Sequence, residues 1–305
     1  DGRLKTKSPE GDEIELRLST LPTAFGEKMV MRVFDPDVLV RSFEQMGFTT
    51  EDYEAWQRMT SHPHGIIFVT GPTGSGKTTT LYSTLKQLAT SEVNVCTIED
   101  PIEMVEPSFN QMQVQANIDV SFAQGVKAML RQDPDIIMIG EIRDLATADM
   151  AIQAALTGHL VLSTLHTNDA PSSITRLVDL GVPPYMISAT VLGVMAQRLI
   201  RTLCPHCKKA TETDVQAWEE LVRPFKMKPP EAIYRPVGCL ECRDTGYLGR
   251  VGVYETMPLN TALKQQISRG AELETLTRQS LKNGMKPLRI SGAMKVAKGL
   301  TTIEE

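Results

Sequence analysis

The chain has 305 residues, room for two or three domains and a sizeable core. Its 41% hydrophobic and 23% charged residues are those of a soluble globular protein, and no run approaches the roughly 18 apolar residues that cross a bilayer. A formal charge of -5, from 32 basic and 37 acidic side chains, gives no global basic field and argues against nucleic acid as the partner.

The chain opens on Asp1-Gly2-Arg3-Leu4 with neither Met nor an apolar leader, so it reads as a fragment. Glu13 to Leu18 and Lys28 to Phe34 alternate with period two, as half-buried strands do, and two strands alone make a poor domain. The rest of that sheet is expected upstream. Pro36 marks a domain boundary, and Ser42 to Met59 carries helical spacing around a break at Gly47. From Gly65 short apolar runs (66–69, 93–98, 136–139, 160–165) alternate with helical segments (78–88, 122–131, 146–156, 172–180), the pattern of βαβ crossovers in a parallel sheet. The fold class is therefore α/β. Beyond Leu203 the chain becomes rich in Cys, Lys and Pro, and the last sixty residues read as helices separated by Gly breaks.

Gly71-Pro72-Thr73-Gly74-Ser75-Gly76-Lys77-Thr78 fits G-x-x-x-x-G-K-[ST] between a predicted strand and a predicted helix. Its glycines let backbone N–H groups turn toward phosphates, Lys77 reaches the outer phosphates, and the Thr78 hydroxyl can ligate magnesium, with Thr79 continuing the turn. ATP and Mg2+ are the expected ligands. Hydrolysis also needs acids near the γ-phosphate. Asp135 to Glu141 is a Walker-B-like strand in which Gly140 stands where many P-loop enzymes place the magnesium-binding Asp, leaving Glu141 as the first acid. Glu99, Asp100 and Glu103 crowd another strand end and could share that task, the alternative being a helix N-cap with solvated acids. His166 ends the strand Leu160 to Leu165 at the edge where open parallel sheets bind ligands, as a γ-phosphate sensor would.

Cys204-x-x-Cys207 and Cys239-x-x-Cys242 have the spacing of a tetrahedral four-thiolate zinc site, which leaves no open position and is therefore structural. Its metal would fold a proline-rich stretch with little core of its own. Cys96 reads as a buried thiol.

Together the P-loop, Thr97 to Glu103, Arg131 to Asp144, and Thr157-Gly158-His159 leading to Thr164-Leu165-His166-Thr167-Asn168 resemble the secretion ATPases of type II secretion and type IV pilus assembly over nearly the whole chain. The resemblance implies a RecA-like P-loop core at 37–203, a remnant of a PAS-like N-terminal domain at 1–36, a tetracysteine zinc module at 204–245 and a helical region at 246–305. It makes Glu141 and Glu99 the essential acids, His159 and His166 a pair that senses phosphate and couples subunits, and Arg17 and Arg32 arginines that reach the nucleotide from the preceding domain. It further implies a homo-hexamer acting with an inner-membrane platform protein at the cytoplasmic face of the membrane. The module disfavours the pilus-retraction branch, which lacks it. The alternatives are a RecA-like nucleic-acid translocase and a nucleotide-binding scaffold without turnover.

Overall fold

The computed structural model of the chain describes residues 2–7, 13–34 and 41–305. The boundary expected at Pro36 lies outside the described residues.

Strands β1 (Gly2–Lys7), β2 (Glu13–Thr23) and β3 (Gly26–Phe34) form an antiparallel sheet, one strand more than the sequence pattern predicts. β1 escapes a period-two search because Leu4 is the one large apolar residue in it. The register sets Arg3 opposite Arg17 and Arg17 opposite Arg32, while Leu4, Leu16 and Val33 form the adjacent row. Alternation across the pleat thus puts Arg17 and Arg32 on one face and the apolar row on the other. Helices Phe43–Met46 and Thr50–Thr60 follow, divided at Gly47, whose φ of 95° is the left-handed conformation that ends the first.

The central sheet has seven strands: β4 (Gly65–Thr70), β5 (Val95–Glu99), β6 (Asn110–Gln113), β7 (Ile136–Ile139), β8 (Leu160–Leu165), β9 (Val191–Leu203) and β12 (Tyr247–Pro258), in the order β12-β9-β4-β8-β7-β5-β6. All neighbours are parallel except β9 and β12. Crossover helices Lys77–Leu88, Phe122–Met129, Leu145–Leu156 and Ala170–Asp179 lie where the periodicity places them. Both faces of the sheet are covered. Ile66 and Phe68 pack with Ile137, Ile139 and Val161 on one side, and Ile67 and Val69 with Met138, Leu160 and Leu162 on the other. This two-sided burial is why these strands read as continuous apolar runs.

Two expectations change beyond residue 190. Residues 191–203, to which the pattern assigns no element, form β9, and the span 246–305 is not helical throughout because β12 completes the central sheet from inside it. Val251 to Met257 are buried without interruption, polar Glu255 and Thr256 included, so neither a period of two nor one of 3.6 shows. The helices Thr261–Ser268, Leu273–Lys282 and Leu288–Ala297 follow it. Between β9 and β12 lie β10 (Lys209–Glu212), the helix Val215–Val222 and β11 (Ala232–Arg235). Trp218 and Val222 of this stretch are buried against Ile290, Ala293 and Val296 of the helix Leu288–Ala297, so part of its core is shared with the C-terminal region.

Candidate nucleotide and metal sites

β4 brings the Gly71–Thr78 loop to the carboxyl edge of the sheet, and the helix Lys77–Leu88 starts from it with Gly76 as a left-handed N-cap at φ 87°. A side chain at Gly71 is excluded, since a Cβ there would stand 2.4 Å from the Gln197 carbonyl oxygen. Pro72, Thr73 and Gly74 are exposed at the tip, Ser75 is buried, and Thr78 and Thr79 are half-buried at the mouth of the helix. Lys77 donates to the carbonyls of Gly71 (2.8 Å) and Pro72 (3.0 Å). Burial lowers its pKa while the charge of Glu141 opposes that shift. The ammonium is thus held by carbonyls of its own loop.

Lys77 and Thr78 face Glu99, Asp100, Glu103 and Glu141 across a cavity of ≈ 110 Å³. Glu99, at the end of β5, is 4% exposed and accepts hydrogen bonds from Tyr82 (2.6 Å), Thr97 (2.6 Å) and Gln111 (3.3 Å). No helix follows it before Asn110, so the N-cap alternative does not describe it. Burial pushes the Tyr82 phenol far above its ordinary range, and the neighbouring Glu99 charge adds to that, so Tyr82 remains a donor to the carboxylate. Glu141 follows β7, with one oxygen 2.5 Å from Arg143 and the other 3.3 Å from His166. Gly140 has a steric reason. A Cβ there would stand 3.3 Å from the Ile98 carbonyl oxygen and 3.4 Å from the Phe122 ring, so an Asp in its place would crowd β5.

Arg17 reaches the acidic segment from the N-terminal sheet: it pairs with Glu103 at 3.2 Å and donates to the Ile102 carbonyl. Arg17 and Arg32 line a second cavity of ≈ 610 Å³ that shares Pro101 with the first. Arg3 occupies the same register row, a third arginine that sequence reading passes over. The two histidines separate. His166 lies at the carboxyl end of β8 beside Glu141, whereas His159 precedes β8 at its other end and is bound to Ala154 O (2.9 Å) and Thr157 Oγ1 (3.1 Å). The six residues of the strand between them span about 20 Å, so the pair does not meet within one chain.

The sulfurs of Cys204, Cys207, Cys239 and Cys242 all lie within 4.8 Å of one another. The distances are 3.8 Å for Cys204–Cys239, 3.8 Å for Cys207–Cys242 and 3.7 Å for Cys239–Cys242, all free thiols. Sulfurs about 2.3 Å from a tetrahedral zinc stand about 3.8 Å apart, so the set fits that ion. Burial raises the Cys242 pKa, but N–H groups of Cys239 and Gly246, each 3.2 Å from its sulfur, together with the Cys239 and Cys207 thiols, outweigh this and bring it to about 7.

The family model for type II/IV secretion system proteins matches residues 1–305. The chain belongs to that family. Over its full length this secretion-family chain is 66% identical to the type IV pilus assembly ATPase TfpB of Acinetobacter baylyi, covering 52% of that protein. It is 46% identical to the type IV pilus assembly ATPase PilB of Myxococcus xanthus (54% covered) and 44% to the type II secretion system ATPase E of Vibrio cholerae (60% covered). The chain thus spans about half the length of the relatives it matches. Among solved structures it resembles the pilus retraction motor PilT with bound ADP, at TM-score 0.69 and 26% identity over 100% of this chain and 76% of that one. The Legionella pneumophila ATPase DotB shares the fold at TM-score 0.72 and 24% identity, over 99% of this chain and 74% of that one.

In this family member, Gln197 and Arg198 of β9 are site residues that sequence reading misses. Gln197, 1% exposed, donates to Ser75 O (2.7 Å) and accepts from the Thr80 hydroxyl (2.9 Å), which holds the phosphate loop from behind. Arg198 donates to the Asn168 carbonyl (3.2 Å) and side-chain oxygen (3.0 Å) and so holds the segment after His166. The pattern Val194 to Leu199 carries no motif, and only the pairing of β4 with β9 brings these side chains to the loop.

Proposed function

We propose that the chain hydrolyses MgATP as one subunit of a homo-hexameric motor that drives type IV pilus assembly or type II secretion. The observation that carries this reading is the cavity in which Lys77 and Thr78 face Glu99 and Glu141. Loop N–H groups and Lys77 hold the phosphates at a helix N-terminus, where the dipole favours anions. Magnesium held by Thr78 and Glu141 would neutralise phosphate charge. Glu141 and Glu99 then hold and polarise the attacking water, and His166 reads the state of Glu141. Arg17 and Arg32 approach on the sheet that packs over the acidic segment, and a guanidinium so placed counters charge on the transferred phosphoryl, worth roughly 10³ to 10⁵ in rate for arginine fingers. Closing and reopening of that sheet over the nucleotide supplies the stroke, passed to a platform protein at the cytoplasmic face of the inner membrane. The described residues contain no helix long and apolar enough to cross a membrane, in keeping with a peripheral motor. Structural zinc occupies the four-thiol site.

The test is phosphate release with MgATP, with assembly followed by light scattering, for this chain and its Glu141→Gln variant. Turnover that rises with assembly and falls at least about a hundredfold in the variant is expected. Equal rates in assembled material would refute the role of Glu141 and shift attention to Glu99.

A further inference from the structure

The segment after β8 that carries His166 to Glu141 is held from three strands. Thr70, the last residue of β4, accepts a hydrogen bond from the Thr167 N–H (2.8 Å), and Arg198 of β9 donates to Asn168. Glu255 of β12 accepts from the Ala170 N–H (2.8 Å), and its other oxygen accepts from the Leu288 N–H (3.2 Å). Ala170 and Leu288 are the first residues of the helices Ala170–Asp179 and Leu288–Ala297. One carboxylate therefore joins two helix N-termini, using donors that helices leave unsatisfied and dipoles that favour an anion.

Glu255 is 4% exposed, and a buried carboxylate is costly unless both oxygens are engaged. Burial raises its pKa, the two N–H groups oppose that, Asp169 adds to it and Arg198 opposes it. A glutamine cannot replace it without loss, because its amide offers one acceptor oxygen where two donors converge. The helix Leu288–Ala297 in turn carries Ile290, Ala293 and Val296, against which Trp218 and Val222 of the cysteine module pack.

We infer that Glu255 is a positioning residue for turnover: it fixes the His166 segment against the C-terminal helix Leu288–Ala297 and so links the phosphate side of the site to the cysteine module. This rests on the ATPase reading above. It assigns a task to a side chain that touches neither the phosphate loop nor the acids, at the place where β12 meets two helices.

The experiment compares the full zinc-loaded chain with Glu255→Gln, Glu255→Asp, His166→Ala and the Glu255→Gln/His166→Ala pair. Glu255→Gln is expected to lower kcat about tenfold with KM for MgATP and equilibrium binding of ATP within about twofold, the split of a group that acts after binding. If Glu255 acts through His166, the pair turns over no slower than His166→Ala alone. Amide hydrogen exchange in Glu255→Gln should rise together in residues 167–172 and 288–291. Glu255→Asp, which keeps both acceptors one methylene short, should fall between wild type and Gln, and it carries the comparison if Glu255→Gln does not fold. Multiplied losses in the pair, or exchange that rises in one segment without the other, would overturn the inference. A wild-type chain without turnover would sink the ATPase reading instead, while the exchange measurement would still judge Glu255.

Discussion

Replacing Gln197 by methionine keeps the volume of the side chain and removes both of its hydrogen bonds. The Ser75 carbonyl and the Thr80 hydroxyl, at 2.7 and 2.9 Å in the native chain, then lie beneath the phosphate loop without partners. A buried polar group left unsatisfied costs about 1–3 kcal/mol, so the two together cost about 2–6 kcal/mol. With about 2–4 °C of melting temperature per kcal/mol in domains of this size, a fall on the order of 10 °C is expected. The same loss acts on function. The Ser75 carbonyl is free to turn, and with it the peptide N–H groups that would face phosphate, so affinity for ATP should weaken at least about tenfold. Thermal melts with and without MgADP, and equilibrium titration with a fluorescent ATP analogue, measure both effects. Adding Thr80→Val removes one of the two orphaned groups and should restore about 1–3 kcal/mol, because replacing both partners of a hydrogen bond is far cheaper than replacing one. A Gln197→Met chain that melts within about 1 °C of wild type and binds nucleotide normally would refute the idea that β9 supports the loop.

Chelating the metal, or substituting Cys239→Ser, is expected to lower the melting temperature and to raise hydrogen exchange in residues 204–209 and 237–246, while Trp218 stays buried on the helix Leu288–Ala297. Metal-free protein with an unchanged melt would show that packing alone holds the module. Lys295 is 4% exposed and donates to the Gly47 carbonyl; burial chiefly, with help from Lys298, lowers its pKa below the 10.5 of an unfolded lysine, while Asp52 opposes the shift. Between the lowered value and 10.5 the unfolded chain holds more protons than the folded one, so wild-type stability should rise with pH across that window relative to Lys295→Met. Urea unfolding of both chains from neutral pH to pH 10.5 checks this, and parallel pH profiles would contradict it.

Much of the site is legible in one dimension because a phosphate loop has to be contiguous: the strand, the glycines, Lys77 and the following helix are neighbours in the chain. Glu99, Glu141 and His166 are legible for a related reason. Each ends a strand of a parallel sheet, and all such ends lie on one edge, so position in the strand predicts position in space. His159 shows the limit of that rule, since seven residues along the same strand carry it to the opposite edge. The Cys pairs are readable because each knuckle is local.

By itself the sequence determined the family motifs, the βαβ alternation, the ligand chemistry of the loop and the thiol set, all of which are local patterns or short spacings. Only the tertiary structure decided that β9 and β12 close the central sheet, that Gln197 braces the loop and that Arg17 meets Glu103. It alone decided that Glu255 ties two helix ends together. These contacts join residues far apart in the chain, Gln197 and Ser75 being separated by 122 positions. Continuously buried stretches such as Val251 to Met257 of β12 carry no periodic signature, and a buried polar side chain looks the same in sequence as an exposed one until its partners are placed around it.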